Sequence, residues 1–190
     1  RILNRRASDG SQHEEPLVGV DFFPSDGPGK WRPDPISQRQ VALGAFWGQV
    51  EPFVLTYAGQ FRAPVPPRLQ SAKYAEAFDE VQRLGGCAMP LDQCGPDGFV
   101  TATDRTADQT IAGIYWGYDG TPDLGAPPRL YNQIAMKIAD RMDTGFVELA
   151  RLLALVNVAM ADAGIEIWES KYHYQYWRPV AGIREAGPGT

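Results

Sequence analysis

The chain has 190 residues, 44% hydrophobic and 22% charged, a balance that supports a buried core and excludes a disordered or fibrous chain. Eighteen basic against twenty-three acidic side chains give a formal charge of −5, which excludes the broad basic footprint of a nucleic-acid binder. A small cationic site remains compatible with that total.

Fourteen of the sixteen prolines lie in residues 1–128, and none lies in 129–178. Proline removes a backbone donor and clashes inside helices. The chain therefore reads as all-α, a helical bundle with a loop-rich, Pro-rich N-terminal half. Residues 1–15, RILNRRASDGSQHEE, are polar and expected to form a flexible arm, with 16–190 belonging to one helical domain. Residues 24–35 read as irregular chain, and 36–61, punctuated by Gly44, Gly48, Pro52 and Gly59, as short helical turns at best.

Ser71 is placed to cap a helix that carries Tyr74, Phe78 and Val81 on one face and stops at Gly85-Gly86. A polar loop follows, containing Cys87 and Cys94, the two cysteines of the chain; whether they are bridged or free stays open. Residues 106–118 are the next expected helix, with Ile111, Ile114 and Tyr115 inward. Pro127-Pro128 precedes a longer one with the stripe Leu130, Ile134, Ile138 and Met142, which Gly145 is expected to interrupt. Phe146 to Ala163 is apolar nearly all round, the pattern of a central buried helix. Asp162-Ala163-Gly164 is expected to break it from a last helix running to about Trp177. No strand-length alternation and no apolar run of about eighteen residues occurs, so neither a sheet nor a membrane span is expected.

The chemistry concentrates in IEIWESKYHYQYWRP, residues 165–179. Lys171 and Arg178 are seven apart, about two helical turns, so a continuous helix would put them on one face. Pro179 disfavours helical geometry at Arg178, which marks the helix end. A compact ammonium and a planar five-donor guanidinium leaning toward one point suit an oxyanion. Trp168, Tyr174 and Trp177 would wall such a site and lower its dielectric. Spacing alone does not assign it, because cations near a helix C-terminus are favoured electrostatically in any protein.

The K-x6-R-P of Lys171 to Pro179 resembles the first signature of the superfamily of vanadium-dependent haloperoxidases and type 2 phosphatidic acid phosphatases. GKWRPDP (29–35), FWGQVEPFVL (46–55), YAEAFDEVQRLG (74–85), RTADQTIAGIYW (105–116), PPRLYNQIA (127–135) and ADAGIEIWESKYHYQYWRP (161–179) resemble the bacterial haloperoxidase branch, in order, over about Gly29 to Ala186. The resemblance implies vanadate as cofactor, with Lys171 and Arg178 as its catalytic and cofactor-binding residues and Trp168 bordering the halide region. It implies oxidation of halide by hydrogen peroxide to a hypohalous species that halogenates a small organic substrate. Asp108 and Asp162 are acidic residues that could pair with an active-site arginine, although helix-cap or surface roles fit them better.

The superfamily also uses a later Ser-Gly-His motif and a histidine that bonds vanadium, whereas this chain holds only His13 and His173. His13 lies in the expected arm, and His173, two residues beyond Lys171, should point away from the cationic face. The chain is accordingly expected to be the N-terminal portion of a longer enzyme, with no metal ligand in this segment. Its expected partners are hydrogen peroxide, halide, a small organic substrate, the C-terminal portion and a second copy of itself. A secreted or periplasmic location is compatible with the sequence but not indicated by it. Two alternatives remain: an acid phosphatase of the same superfamily binding phosphate at Lys171 and Arg178, and a non-enzymatic helical interaction module.

Overall fold

Caps, prolines and two left-handed residues delimit the helices. A computed structural model describes residues 2–35, 38–86, 103–117 and 128–186. Among them it shows α1 (Ile2–Arg5), a 3-10 turn (Trp47–Gln49), α2 (Ala72–Gly85), α3 (Ala107–Gly117), α4 (Pro128–Arg141), α5 (Phe146–Tyr174) and α6 (Pro179–Arg184), and no strand, so the fold is all-α. Cys87 and Cys94 lie outside the described residues. No described helix is long and apolar enough to cross a membrane.

The boundaries follow local chemistry. Ser71 caps α2 by accepting from the Tyr74 amide at 3.2 Å, and Gly86 closes its far end. Between α4 and α5 the break falls at Asp143 (φ 50°) rather than at Gly145, and the Thr144 amide donates back to the Ala139 carbonyl at 2.9 Å. That is the 6→1 closure of a helix C-terminus around a left-handed residue. The expected interruption at 162–164 does not occur. Gly164 costs a helix only about 1 kcal/mol against alanine, and α5 runs through it for 29 residues.

The chain divides into two compact units: Arg1–His13, Phe46–Ala63 and Gly113–Ser170 in the first, and Glu14–Ala45, Pro64–Ala112 and Lys171–Thr190 in the second.

In the first unit the N-terminal segment is docked, not a free arm. Arg6 donates to the carbonyls of Glu51 and Pro52, lies 4.0 Å from the Phe53 ring centroid, and pairs with buried Asp9 at 2.7 Å. The Ser11 amide bonds the Asp9 carboxylate, which together with Arg6 holds it below the usual carboxylate range. The buried face of α4 is Leu130, Ala135 and Ala139, one step round from the expected stripe, and Ile138 and Met142 are exposed. Alanines let a neighbouring backbone approach closely, and Asn132 and Asn157 join α4 to α5 by reciprocal amide bonds of 3.1 and 2.9 Å. The first half of α5 is not a buried helix in this chain: Phe146 is 87% and Leu155 58% exposed. Ile111 and Ile114 of α3, expected inward, are exposed as well.

In the second unit α6 packs on α2. Residues 29–31 pair with 175–177 through an antiparallel bridge between Lys30 and Tyr176. The Trp31 amide donates to the Gln175 carbonyl (2.6 Å) and the Trp177 amide to the Gly29 carbonyl (3.0 Å).

Candidate oxyanion site

α5 carries two kinds of position on its C-terminal half. On one side it anchors the 53–63 segment of the first unit. Buried Asp162 (5% exposed) accepts three amides, from Phe53 at 2.6 Å, Val54 at 2.8 Å and Leu55 at 3.0 Å. Glu169 is held by a forked Arg62, with Nε 3.1 and 3.0 Å and Nη2 2.5 Å from its oxygens. Buried Ser170 accepts the Ala63 amide at 3.0 Å. Residues 162, 169 and 170 recur at i, i+7 and i+8, one helix face. Gly48 completes the contact, since a Cβ there would lie 2.9 Å from the Glu169 Cα. Asp162 is thus a backbone anchor rather than an arginine partner, and Asp108 is an exposed residue in the first turn of α3.

Lys171 follows directly, exposed in the last turn of α5. The helix stops at Tyr174, three residues short of the expected end, because Gln175 adopts a left-handed φ of 47° and the chain then pairs with residues 29–31. Lys171 and Arg178 therefore do not share a helix face. Arg178 is instead the N-cap of α6, extended at φ −75° and ψ 152° with Pro179 at the first helical position. That conformation is the one a following proline imposes. Its backbone is gripped on one flank by Trp177, 7% exposed and stacked on Tyr74 with ring centroids 6.5 Å apart, and on the other by α6. Arg178 as a whole is exposed.

Tyr172 reports the surroundings of Arg178. Its hydroxyl donates to the Leu43 carbonyl at 2.9 Å and its ring meets Phe22 at 5.4 Å and Trp31 at 6.0 Å. Burial pushes its pKa up to about 12; the Glu15 carboxylate adds to the rise, and the Arg178 charge opposes it. Arg178 thus acts electrostatically on a half-buried aromatic cluster that Phe22 and Trp31 complete.

The three aromatics expected to wall the site have separate surroundings. Trp177 is buried on Tyr74, Tyr174 is half-buried with its ring 4.8 Å from His173, and Trp168 is half-buried in α5 on the first-unit side of the division. His173 is exposed, as expected. His13 is docked, its Nδ1 2.5 Å from the Gly10 carbonyl and its ring edge-on to Phe46 and Trp47.

Lys30 is a further cation, not singled out in the sequence, whose backbone pairs with the loop between Lys171 and Arg178. Its amine reaches the Tyr174 carbonyl at 3.5 Å, and its backbone bridges Tyr176, inside the loop that joins Lys171 to Arg178. Its signal was present in GKWRPDP, a stretch notable only for family likeness. No group of His, Cys, Asp or Glu among the described residues could hold a metal ion. The donors present fit the oxygens of an oxyanion such as vanadate, while His13 is docked in the first unit and His173 sits on α5 two residues past Lys171.

A lysine in the last turn of a long helix, a short paired turn and an arginine capping the next helix lie in the part of the chain where comparison with known proteins finds likeness to vanadium haloperoxidases. Residues 151–189, which include both cations, match the family described as the VCPO second helical-bundle domain. The chain is 34% identical over 188 residues to the vanadium chloroperoxidase of Curvularia inaequalis, covering 94% of this chain and 29% of that protein. Its fold is similar to that of the first bacterial vanadium-dependent iodoperoxidase solved by crystallography, at a TM-score of 0.62 and 24% identity, over 96% of this chain and 41% of that one. The chain thus spans less than half the length of either relative.

Proposed function

We propose that this chain is the N-terminal portion of a vanadium-dependent haloperoxidase, a helical protein that a downstream portion completes. Lys171 and Arg178 bind the oxygens of vanadate, and Trp168 borders the halide. Bound vanadate supplies the activation of hydrogen peroxide toward halide, giving a hypohalous species that halogenates an organic substrate. This chain's own residues hold the oxyanion: a rigid guanidinium fork supplies paired charge-assisted bonds, and an ammonium at the end of α5 supplies a point charge. The downstream portion would carry the vanadium-bonding histidine and the Ser-Gly-His motif, and it would cover Phe146, Val147 and Leu155. Hydrogen peroxide, halide and a second copy of the protein complete the partners.

The observation that carries this reading is Arg178 itself, presented outward from an extended N-cap between buried Trp177 and α6. Vanadate titration of halogenating activity in the full-length protein tests it. Arg178→Ala should weaken vanadate binding by about 3 kcal/mol, more than Lys171→Ala, because two charge-assisted bonds are lost instead of one. Arg178→Lys should rescue little of the loss. Equal vanadate affinity in wild type and Arg178→Ala would overturn the assignment. Hydrolysis of a phosphate ester without vanadate, and no halogenation with it, would make the protein a phosphatase.

A further inference from the structure

Arg178 stands in a stretch of chain whose two ends both return to one short segment, residues 29–32. On the N-terminal side the Trp31 amide donates to the Gln175 carbonyl and the Trp177 amide to the Gly29 carbonyl. On the C-terminal side α6 is capped by Glu185, whose carboxylate lies 2.8 Å from Nη1 of Arg32. From these we infer that Arg32 is a positioning residue: paired with Glu185, it closes a clamp that fixes how Arg178 meets a bound oxyanion. This role rests on the reading of Arg178 as a vanadate-binding residue.

The backbone bridge by itself fixes only where the chain enters Arg178. Where it leaves depends on α6, because Arg178 is the N-cap of that helix. With six residues, α6 is far below the roughly 12–15 that an isolated helix needs, so its direction comes from its contacts. It packs on α2 through a face that buries Ala181 and Gly182, and its far end is tied at Glu185, whose amide donates back to the Ala181 carbonyl. Arg32 can hold that end firmly because its other arm is engaged as well. Nη2 donates to the Gly27 carbonyl at 2.9 Å, which also accepts the Lys30 amide at 3.1 Å. Its Nε is buried with no hydrogen-bond partner among the described residues, and the two side chains are 22% and 32% exposed. Fully exposed ion pairs contribute little, but a partly buried planar fork with separate partners for its two arms is a stiff link, which an ammonium could not reproduce.

Arg32 and Glu185 carry opposite charges, which gives the test its sign. By field alone, Arg32→Gln would weaken anion binding and Glu185→Gln would strengthen it. A clamp requires a loss in both. Orthovanadate is titrated into the full-length protein without peroxide or halide, and binding is followed by broadening of the vanadium NMR signal. Each variant should bind about tenfold more weakly, the scale on which outer partners that orient ligand-binding groups act, while the far-UV circular dichroism stays that of wild type. Should Arg32→Gln fail to fold, Glu185→Gln, at the more exposed partner, decides alone. In an Arg178→Ala background Glu185→Gln should change nothing further, because the clamp acts through that guanidinium. Tighter or unchanged vanadate binding in Glu185→Gln, or an equal loss in the Arg178→Ala background, would overturn the inference and leave the proposed function standing. Vanadate affinity unchanged by Arg178→Ala itself would remove Arg178 from the site, and the role of Arg32 with it.

Discussion

The two halves of α5 have opposite relations between composition and burial. From Phe146 to Ala161 the helix is nearly all apolar, yet none of its side chains is buried in this chain. From Asp162 to Tyr174 it is rich in polar residues, and its buried positions are Asp162, Ile165 and Ser170. The fixed half is held by directional bonds to backbone amides and by a forked ion pair. The apolar half has side chains suited to burial, but the described residues cover them only in part. Apolar content states what a helix tolerates next to it; it does not supply the neighbour.

The sharpest way to break this contrast is Asp162→Ala. Three amides lose their charged acceptor, and unfolding in urea should show a loss of about 3 kcal/mol or more. In the 190-residue chain taken by itself, Phe146→Ala and Leu155→Ala, each a far larger apolar truncation, should fall within about 0.5 kcal/mol of wild type, because the side chains are exposed there; cover from the proposed downstream portion would raise their cost in the full-length protein. A larger cost for Phe146→Ala than for Asp162→Ala would reverse the reading.

Gly48→Ala probes the same anchor sterically. The added methyl would stand 2.9 Å from the Glu169 Cα and Cβ, backbone that cannot swing away, so a cost of about 1–3 kcal/mol is expected. A neutral substitution would mean the 3-10 turn is free to shift along α5.

A smaller effect should appear at alkaline pH. Tyr172 has a folded pKa of about 12 against an ordinary 10. A raised folded pKa means its neutral form is favoured by folding, so its contribution is full below pH 10 and lost as pH rises toward 12. The melting temperature should fall over that window, and Tyr172→Phe should flatten the fall. An unchanged slope in the variant would assign the alkaline loss to other groups.

Much of the helical architecture was legible along the chain. Ser71 as a cap, Gly85-Gly86 as a stop and Pro128 as a start are local statements, decided by which backbone groups a residue can satisfy within one turn. The K-x6-R-P stretch and the family segments around it were equally visible, since they are matters of residue type in order.

Other features depended on partners distant in sequence. The helix stop at Tyr174 is set by pairing of 175–177 with residues 29–31, some 145 positions away, and no periodicity within 165–179 contains it. Asp162 looked like a helix break because the amides that need its carboxylate belong to residues 53–55. The polar N-terminal segment looked like an arm because Glu51, Pro52 and Phe53, which hold Arg6, are more than forty residues away. Residue types and local satisfaction of backbone groups thus determined that this protein is helical and where the K-x6-R-P stretch stands in it. Which residues are buried, and how Arg178 is presented, was decided by long-range hydrogen bonds, whose donors and acceptors meet only when the chain has folded.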